Sequence, residues 1–248
     1  FLKKPLNDLC ISRPKSRLNW GIEIPFDTEY VTYVWFDALL NYITAIGFGS
    51  DEKKFNKWWP VDYHLMAKDI LTTHAVYWPT MLMASNIPLP KTIFSHGWWL
   101  MEDSKMSKSV GNVINPMDLI DKYGADPLRY YLMRDIVLGM DASFTMDSFI
   151  KRYNADLAND YGNLVNRVTM LIVKHFDGKI PESGDYDETD LEIIGEAKNT
   201  PQTVSGLIQD LKIHEALENI MSLLRNINRC LEVKAPWQSI KEDDSHGG

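Results

Sequence analysis

The sequence predicts an α/β fold in which a parallel sheet precedes an all-α helical bundle. Between residues 31 and 96, short apolar runs alternate with helical patterns, an order typical of parallel sheets. The predicted strands are Val31–Phe36, Tyr63–Ala67 and Thr92–His96, and the helices between them are Ala38–Ile46 and Thr73–Ser85. Because ligands of such sheets lie beyond the carboxyl ends of the strands, we expect functional residues there.

Helical spacing dominates the remainder of the chain. Thr145 is a natural N-cap and predicts a long helix that reaches about His175. Asp126 is a second predicted N-cap, with Pro127 at the first helical position. The other predicted helices are Pro116–Tyr123, Asp126–Arg134, Thr189–Leu211 and His214–Glu232.

The composition is that of an ordinary soluble protein, with 248 residues of which 45% are hydrophobic and 24% charged. No stretch of the sequence approaches the length of a membrane span, so no membrane partner is expected. Cys10 and Cys230 are too few for a disulfide framework or a Cys-rich zinc site, which indicates a reducing compartment. We therefore expect a cytoplasmic protein, with a mitochondrial location as the alternative.

The net charge of −8 argues at first against a nucleic-acid partner. Its distribution weakens that argument, because seven acidic residues are concentrated in the segment Glu182 to Glu196, which contains no Lys or Arg. We interpret this segment as a solvated acidic loop, which leaves room for a basic surface elsewhere.

A lysine-containing loop follows the third predicted strand. Its residues include Lys105, Met106, Ser107 and Lys108. Two lysines three residues apart, flanked by Ser and Gly, can reach the oxygens of one polyphosphate and stabilise negative charge during phosphoryl transfer. The alternative is a solvated surface turn, because short charge motifs often occur by chance.

Further candidate residues lie near the predicted carboxyl ends of the strands. One group follows helical spacing and fits either a binding wall or plain core packing. Its members are Trp35, Ala38, Leu39 and Tyr42. Asp69 and His74 fit either a site or a helix cap with a core-edge histidine. His96 and Gly97 end the third strand and, taken alone, fit aromatic packing with a turn glycine.

The helical part of the chain holds a further candidate group. Asn163 and Arg167 lie four residues apart and share one helix face, which in isolation favours a solvated polar surface. For Trp237, a buried packing role is one interpretation.

Three blocks of the chain resemble methionyl-tRNA synthetases, which are class I aminoacyl-tRNA synthetases, in the same order and at similar spacing. They read V-T-Y-V-W-F-D-A-L-L-N-Y at 31–42, H-L-M-A-K-D-I-L-T-T-H-A-V-Y-W-P at 64–79 and F-S-H-G-W-W-L-M-E-D-S-K-M-S-K-S-V-G-N at 94–112. The last contains K-M-S-K-S, which resembles the lysine signature of class I enzymes. The resemblance runs from about Ile11 to Trp237 and implies a Rossmann-like catalytic sheet that ligates methionine to tRNA, through methionyl-adenylate, with ATP.

The resemblance also implies a role for each candidate residue. The methionine pocket would be formed by Trp35, Ala38, Leu39, Tyr42, Asp69 and His74. ATP, as its Mg²⁺ complex, would bind at His96, Gly97, Lys105, Met106, Ser107 and Lys108, with Lys105 and Lys108 as the catalytic residues. The tRNA anticodon would be read by Asn163, Arg167 and Trp237. No zinc site is expected in this part of the enzyme.

The histidine signature of class I enzymes does not occur in the sequence, which implies a carboxyl-terminal part of a longer enzyme. Residues 1–97 would be the second half of the catalytic domain, 98–144 the lysine loop and stem-contact linker, and 145–248 the anticodon-binding domain. The upstream half would be a required partner, and the chain alone would be inactive. Two alternatives stay open: a class I synthetase for another apolar amino acid, and a non-catalytic tRNA-binding module.

Overall fold

The structure, a computed structural model, describes residue 3 and residues 10–101, 104–105, 113–238 and 240. The chain divides into two compact units, Phe1–His96 and Gly97–Gly248. The predicted fold class, a partial Rossmann-like parallel sheet followed by an all-α bundle, is confirmed.

The first unit opens with an antiparallel sheet whose strand order is β1-β3-β2. Its strands are β1 (Ser12–Pro14), β2 (Glu23–Ile24) and β3 (Asp27–Thr32), and helix α1 (Val34–Thr44) follows. The predicted parallel strand Val31–Phe36 is therefore wrong. A short apolar run cannot by itself be told from a buried helix segment, and here the helical spacing of Trp35, Leu39 and Ile43 places these residues in or against the core.

The parallel sheet consists of β4 (Tyr63–Ala67) and β5 (Thr92–His96), and both predicted strands are confirmed. This unit also contains helices α2 (Glu52–Trp58) and α3 (Trp78–Ala84). The core residues are Leu39, Ile43, Trp59, Trp78, Leu82 and Ile87. The predicted helix Thr73–Ser85 is helical, but it begins as a π-helix, Thr73–Tyr77, which continues into α3.

The second unit begins with a small sheet. Strand β6 (Trp99–Met101) pairs antiparallel with β7 (Ser104–Lys105) and parallel with β8 (Ala142–Ser143). Two helices follow β7, the predicted α4 (Pro116–Tyr123) and α5 (Ala125–Asp135).

Asp126 is not the N-cap of α5, so that prediction is wrong. Gly124 takes this position with a φ of 88°, a conformation that glycine adopts without steric cost, and Asp126 lies in the first turn instead. Pro127 consequently lies at the third helical position rather than the first. The tight turn between α4 and α5 explains the shift, because one glycine both ends the first helix and begins the second.

Thr145 caps the long helical path as predicted, since its hydroxyl accepts a hydrogen bond from the Ser148 amide at 3.1 Å. The path runs through α6 (Met146–Arg152), a π-helix at Tyr153–Gly162 and α7 (Asn163–His175). Helices α8 (Glu188–Gln209) and α9 (Ile213–Lys234) complete the bundle. Within the described ranges, no helix is long and apolar enough to cross a membrane.

The acidic segment is a loop only as far as Asp187. From Glu188 it is helix, so the loop prediction is wrong for its second half. Asp187 and Asp190 form a reciprocal capping box, and Lys234 Nζ lies 3.0 Å from the Asp187 carboxylate and 2.5 Å from that of Asp190. The Asp190 amide and Lys234 lower the pKa of Asp187, which keeps the cap ionised.

Candidate functional site

Tyr42 and His74 form the centre of the candidate site in the first unit. Tyr42 lies on α1, and His74 lies on the π-helix that follows β4. The Tyr42 hydroxyl oxygen is 2.9 Å from His74 Nε2, and His74 Nδ1 is 2.9 Å from the carbonyl oxygen of Ile70. His74 is buried, whereas 39% of Tyr42 is exposed. The phenol is therefore held from the interior while part of it faces solvent.

The other predicted pocket residues of α1 take different positions. The Trp35 ring meets the His74 ring edge-on, with centroids 6.2 Å apart. Ala38 is exposed, and Leu39 is packed into the core. The structure thus brings Trp35 and Tyr42 to His74, while Leu39 supports the helix from beneath.

Asp69 and His96 lie at the carboxyl ends of the parallel strands. Ala67, the last residue of β4, is opposite His96, the last residue of β5. Asp69 is exposed in the 3₁₀ turn Lys68–Ile70 that follows β4, and His96 is half-buried. This edge of a parallel sheet is where ligands bind in open α/β folds.

His64 is a buried residue of this site that the sequence reasoning missed. Its Nε2 accepts a hydrogen bond from the indole N–H of Trp78 at 3.1 Å, and its ring centroid is 4.5 Å from that of Tyr42. Burial, and then the nearby His74, lowers the pKa of His64, so the neutral imidazole is favoured. The available signal was the alternation of β4, which places His64 and the buried Met66 on one face.

A cavity of about 620 Å³ lies beside this aromatic group. Of the six predicted pocket residues, Tyr42 alone lines it. The remaining lining residues are Ile46, Lys54, Trp58, Trp59, Val61, Tyr63, His64 and Leu65. One face of Tyr42 therefore opens onto a mainly apolar space.

Gly97 and the lysine loop belong to the second unit. Gly97 is buried, and a Cβ on it would lie 2.1 Å from the carbonyl oxygen of Met140, so the packing excludes any side chain there. The backbone of Lys105 lies in β7, opposite Leu100. The predicted ATP residues Met106, Ser107 and Lys108 lie outside the described residues.

Arg167 and Trp237, two of the predicted anticodon residues, are in contact. The Arg167 guanidinium carbon is 5.3 Å from the centroid of the Trp237 ring, within the range of a cation–π interaction. Arg167 Nη1 is also 3.4 Å from the Glu232 carboxylate. Asn163 lies one turn earlier on α7, exposed, with its side-chain amide 3.4 Å from the Asn159 side-chain oxygen. The described part of the chain contains no group of three or more His, Cys, Asp or Glu side chains that could hold a metal ion.

Comparison with known proteins identifies relatives over almost the whole chain. A methionine–tRNA ligase of Clostridium acetobutylicum is 50% identical, over 98% of this chain and 38% of that protein. One of Caldanaerobacter subterraneus is 44% identical, over 100% of this chain and 39% of that protein. The chain thus spans about two-fifths of the length of these relatives.

Solved structures and a family model agree with these relatives. A crystal structure of Mycobacterium tuberculosis methionyl-tRNA synthetase bound by methionyl-adenylate matches with a TM-score of 0.89 at 39% identity, covering 95% of this chain and 46% of that one. The family model described as tRNA synthetases class I (M) matches residues 1–169. The chain therefore belongs to this family of class I tRNA synthetases.

Proposed function

We propose that the chain is part of a methionine–tRNA ligase, which uses ATP to join methionine to its tRNA through methionyl-adenylate. The observation that carries the proposal is the Tyr42–His74 hydrogen bond beside Trp35. Aromatic rings favour contact with the polarizable sulfur of a thioether, so this wall suits a methionine side chain. The names of the relatives and the methionyl-adenylate in the matching crystal structure support the same activity.

In the proposed reaction, the methionine carboxylate attacks the α-phosphate of ATP, which enters as its Mg²⁺ complex, and pyrophosphate leaves. A hydroxyl of the terminal adenosine of tRNA then attacks the methionyl carbonyl, and AMP leaves. Neither step needs a covalent protein nucleophile, so positioning and electrostatic stabilisation supply the rate. Lys105 and Lys108 are assigned the stabilisation of charge on the phosphates, and His96 and Gly97 the binding of ATP.

The proposed methionine pocket rests on two kinds of residue. Trp35 and Tyr42 supply aromatic walls, and His74 fixes the Tyr42 hydroxyl. Ala38, Leu39 and Asp69 are assigned to the same pocket. Leu39 is packed in the core and supports α1 from there.

The bundle is proposed to read the tRNA anticodon through Asn163, Arg167 and Trp237. Single-stranded bases are recognised by stacking on aromatic or guanidinium planes and by hydrogen bonds to base edges. The Arg167–Trp237 pair offers both kinds of plane at one place. We also propose that an upstream half of the same enzyme supplies the rest of the active site, because the relatives are more than twice as long as the matched segment.

The test is methionine-dependent ATP–pyrophosphate exchange, measured with a panel of amino acids. The chain is assayed alone and joined to the upstream part of the Clostridium acetobutylicum relative. Exchange only in the joined form, and only with methionine, is the expected result. Exchange with another amino acid would instead indicate a different class I synthetase. Binding of tRNA without exchange in either form would indicate a recognition module.

A further inference from the structure

A π-helix of ten residues, Tyr153–Gly162, lies directly before α7, the helix that carries Asn163 and Arg167. π-helices are rare, most are a single turn, and they often mark functional sites. A run of this length needs support from outside the helix, since its backbone does not favour it.

Asp156 is the buried residue of this π-helix, with 3% of it exposed. The Tyr130 hydroxyl donates to its carboxylate at 2.6 Å, and Arg152 Nη1 lies 3.4 Å from the same oxygen. Arg134 Nε lies 3.6 Å from this carboxylate oxygen as well. Two guanidinium groups and a phenol thus compensate the desolvation of the carboxylate. Burial and the hydrogen bond to Asp156 raise the pKa of Tyr130, so the phenol remains a donor.

Asp160 gives the π-helix a second attachment, to α9. The side-chain amide of Asn228 donates to the backbone carbonyl oxygen of Asp160 at 2.8 Å, and Arg225 Nη1 lies 3.6 Å from its carboxylate. A side chain that bonds a helix carbonyl from outside is a recognised cause of helix irregularity. Helices α5, α6 and α9 therefore hold the π-helix at two points.

The geometry of the π-helix sets the rotation of α7 about its own axis. Its i→i+5 bonds close around one residue more than the i→i+4 bonds of an α-helix. If the ten residues became α-helical, each would turn the helix by about 100° instead of about 80°, so α7 would rotate by roughly half a turn. Such a turn would take Arg167 away from Trp237.

We propose that Asp156 is a positioning residue for RNA recognition: it holds the π-helix and thereby sets the face on which Asn163 and Arg167 meet RNA. The proposal rests on the proposed function of these two residues. It differs from a general stabilising role, because loss of the anchor should be corrected by removing two residues from the π-helix: eight α-helical residues turn by about the same angle as ten π-helical ones. The exposed Ala158 and Asn159 lie between the two attachment points and are the residues to remove.

The experiment compares three variants of the chain with the parent. Asp156→Asn keeps the size and the hydrogen-bond acceptor but removes the charge. The second variant combines Asp156→Asn with deletion of Ala158 and Asn159. The third, Asp185→Asn, removes a charge from an exposed loop as the control. Each is titrated, by fluorescence anisotropy, into a labelled RNA hairpin with the anticodon C-A-U and into one with a different anticodon.

We expect Asp156→Asn to bind the C-A-U hairpin at least about tenfold more weakly, as for the loss of one base contact. The deletion should restore binding to within a few-fold of the parent, and the control should bind like the parent. Far-UV circular dichroism and the thermal midpoint report whether each variant is folded.

Spin labels measure the rotation of α7 without RNA. They are placed at the exposed Met170 of α7 and the exposed Val233 of α9, with Cys10 and Cys230 replaced by serine. The label–label distance should change in Asp156→Asn and return after the deletion.

An unchanged distance and unchanged binding in Asp156→Asn would overturn the proposal. So would a loss of binding that the deletion does not restore, since that outcome indicates a merely structural role. If the parent does not bind the hairpin but the distance changes and returns as expected, the proposed function of the bundle fails while the control of register by Asp156 stands.

Discussion

The Tyr42 hydroxyl lies 2.9 Å from His74 Nε2, and the opposite ring nitrogen of His74 lies 2.9 Å from the Ile70 carbonyl oxygen. A carbonyl oxygen can only accept, so Nδ1 carries the proton and Nε2 is the acceptor in the neutral ring. The Tyr42 hydroxyl is therefore the donor, and the assignment follows from the hydrogen-bond network. The tautomer of a buried histidine thus fixes the direction of a hydroxyl at the edge of the candidate pocket.

Replacing Tyr42 with phenylalanine removes this hydroxyl and leaves the ring. We expect the KM for methionine to rise by roughly tenfold at most, because the ring loses the hydrogen bond that orients it in the pocket, while the KM for ATP stays the same. The measurement is amino-acid-dependent ATP–pyrophosphate exchange in the enzyme joined as described above. Tyr186→Phe, at an exposed loop position, is the control and should change neither constant. Equal changes in both constants would speak against a role specific to methionine.

His64 gives the first unit a predictable dependence on pH. Its folded pKa is lowered from 6.5, first by burial and then by His74. Well above pH 6.5 it is neutral in both states, so it adds no pH dependence there. As the pH falls below 6.5, the unfolded chain binds a proton at His64 that the folded chain resists, so the free energy of unfolding decreases.

The variant His64→Gln retains an acceptor for the Trp78 indole and cannot titrate in this range. We expect the thermal midpoint of the parent to fall between pH 7.5 and 5.5 more steeply than that of the variant. Differential scanning calorimetry at these two pH values measures both slopes. His175→Gln, on α7, should keep the slope of the parent. Identical slopes in the parent and in His64→Gln would mean that the pKa of His64 is the same in the folded and unfolded states.

Local patterns predicted some elements of this chain well. Strands β4 and β5 alternate with helices and are bounded by turn residues, so neighbouring residues predict them. The Thr145 cap is a local hydrogen bond and is predicted in the same way. Val31–Phe36 could not, because the choice between strand and helix depends on the core that Leu39 reaches.

The two π-helices and the role of His64 were not accessible from local patterns. The π-helix at Tyr153–Gly162 depends on side chains from α5, α6 and α9, and no local periodicity indicates that Asn228 donates a hydrogen bond to Asp160. In the same way, His64 is an ordinary inward residue of a strand until Trp78 is placed against it. These features depend on contacts between residues distant in sequence.

The lysine loop carries the most direct test of the proposed chemistry. Replacing Lys108 with alanine should lower the rate of adenylate formation by about a hundredfold or more, because a charge that stabilises the transition state is lost. Methionine affinity should barely change, since the lysine is assigned to the phosphates. Lys91→Ala is the control, as Lys91 pairs at the surface with Asp62 at 2.6 Å. A rate within a few-fold of the parent would remove Lys108 from the mechanism.

Trp237 contacts Arg167, and variants of Trp237 distinguish a role in RNA recognition from a role in packing. If Trp237 stacks on a base, Trp237→Ala should weaken binding of the C-A-U hairpin by about tenfold or more, and Trp237→Phe should retain most of the affinity. Binding of a hairpin with another anticodon should be weak throughout. Trp20→Ala, at an exposed tryptophan of the first unit, is the control and should bind like the parent. If Trp237 instead serves packing, its alanine variant will lower the thermal midpoint and weaken both hairpins alike, and the phenylalanine variant will not restore discrimination. Fluorescence anisotropy titrations, with the midpoint measured on the same samples, distinguish the two roles.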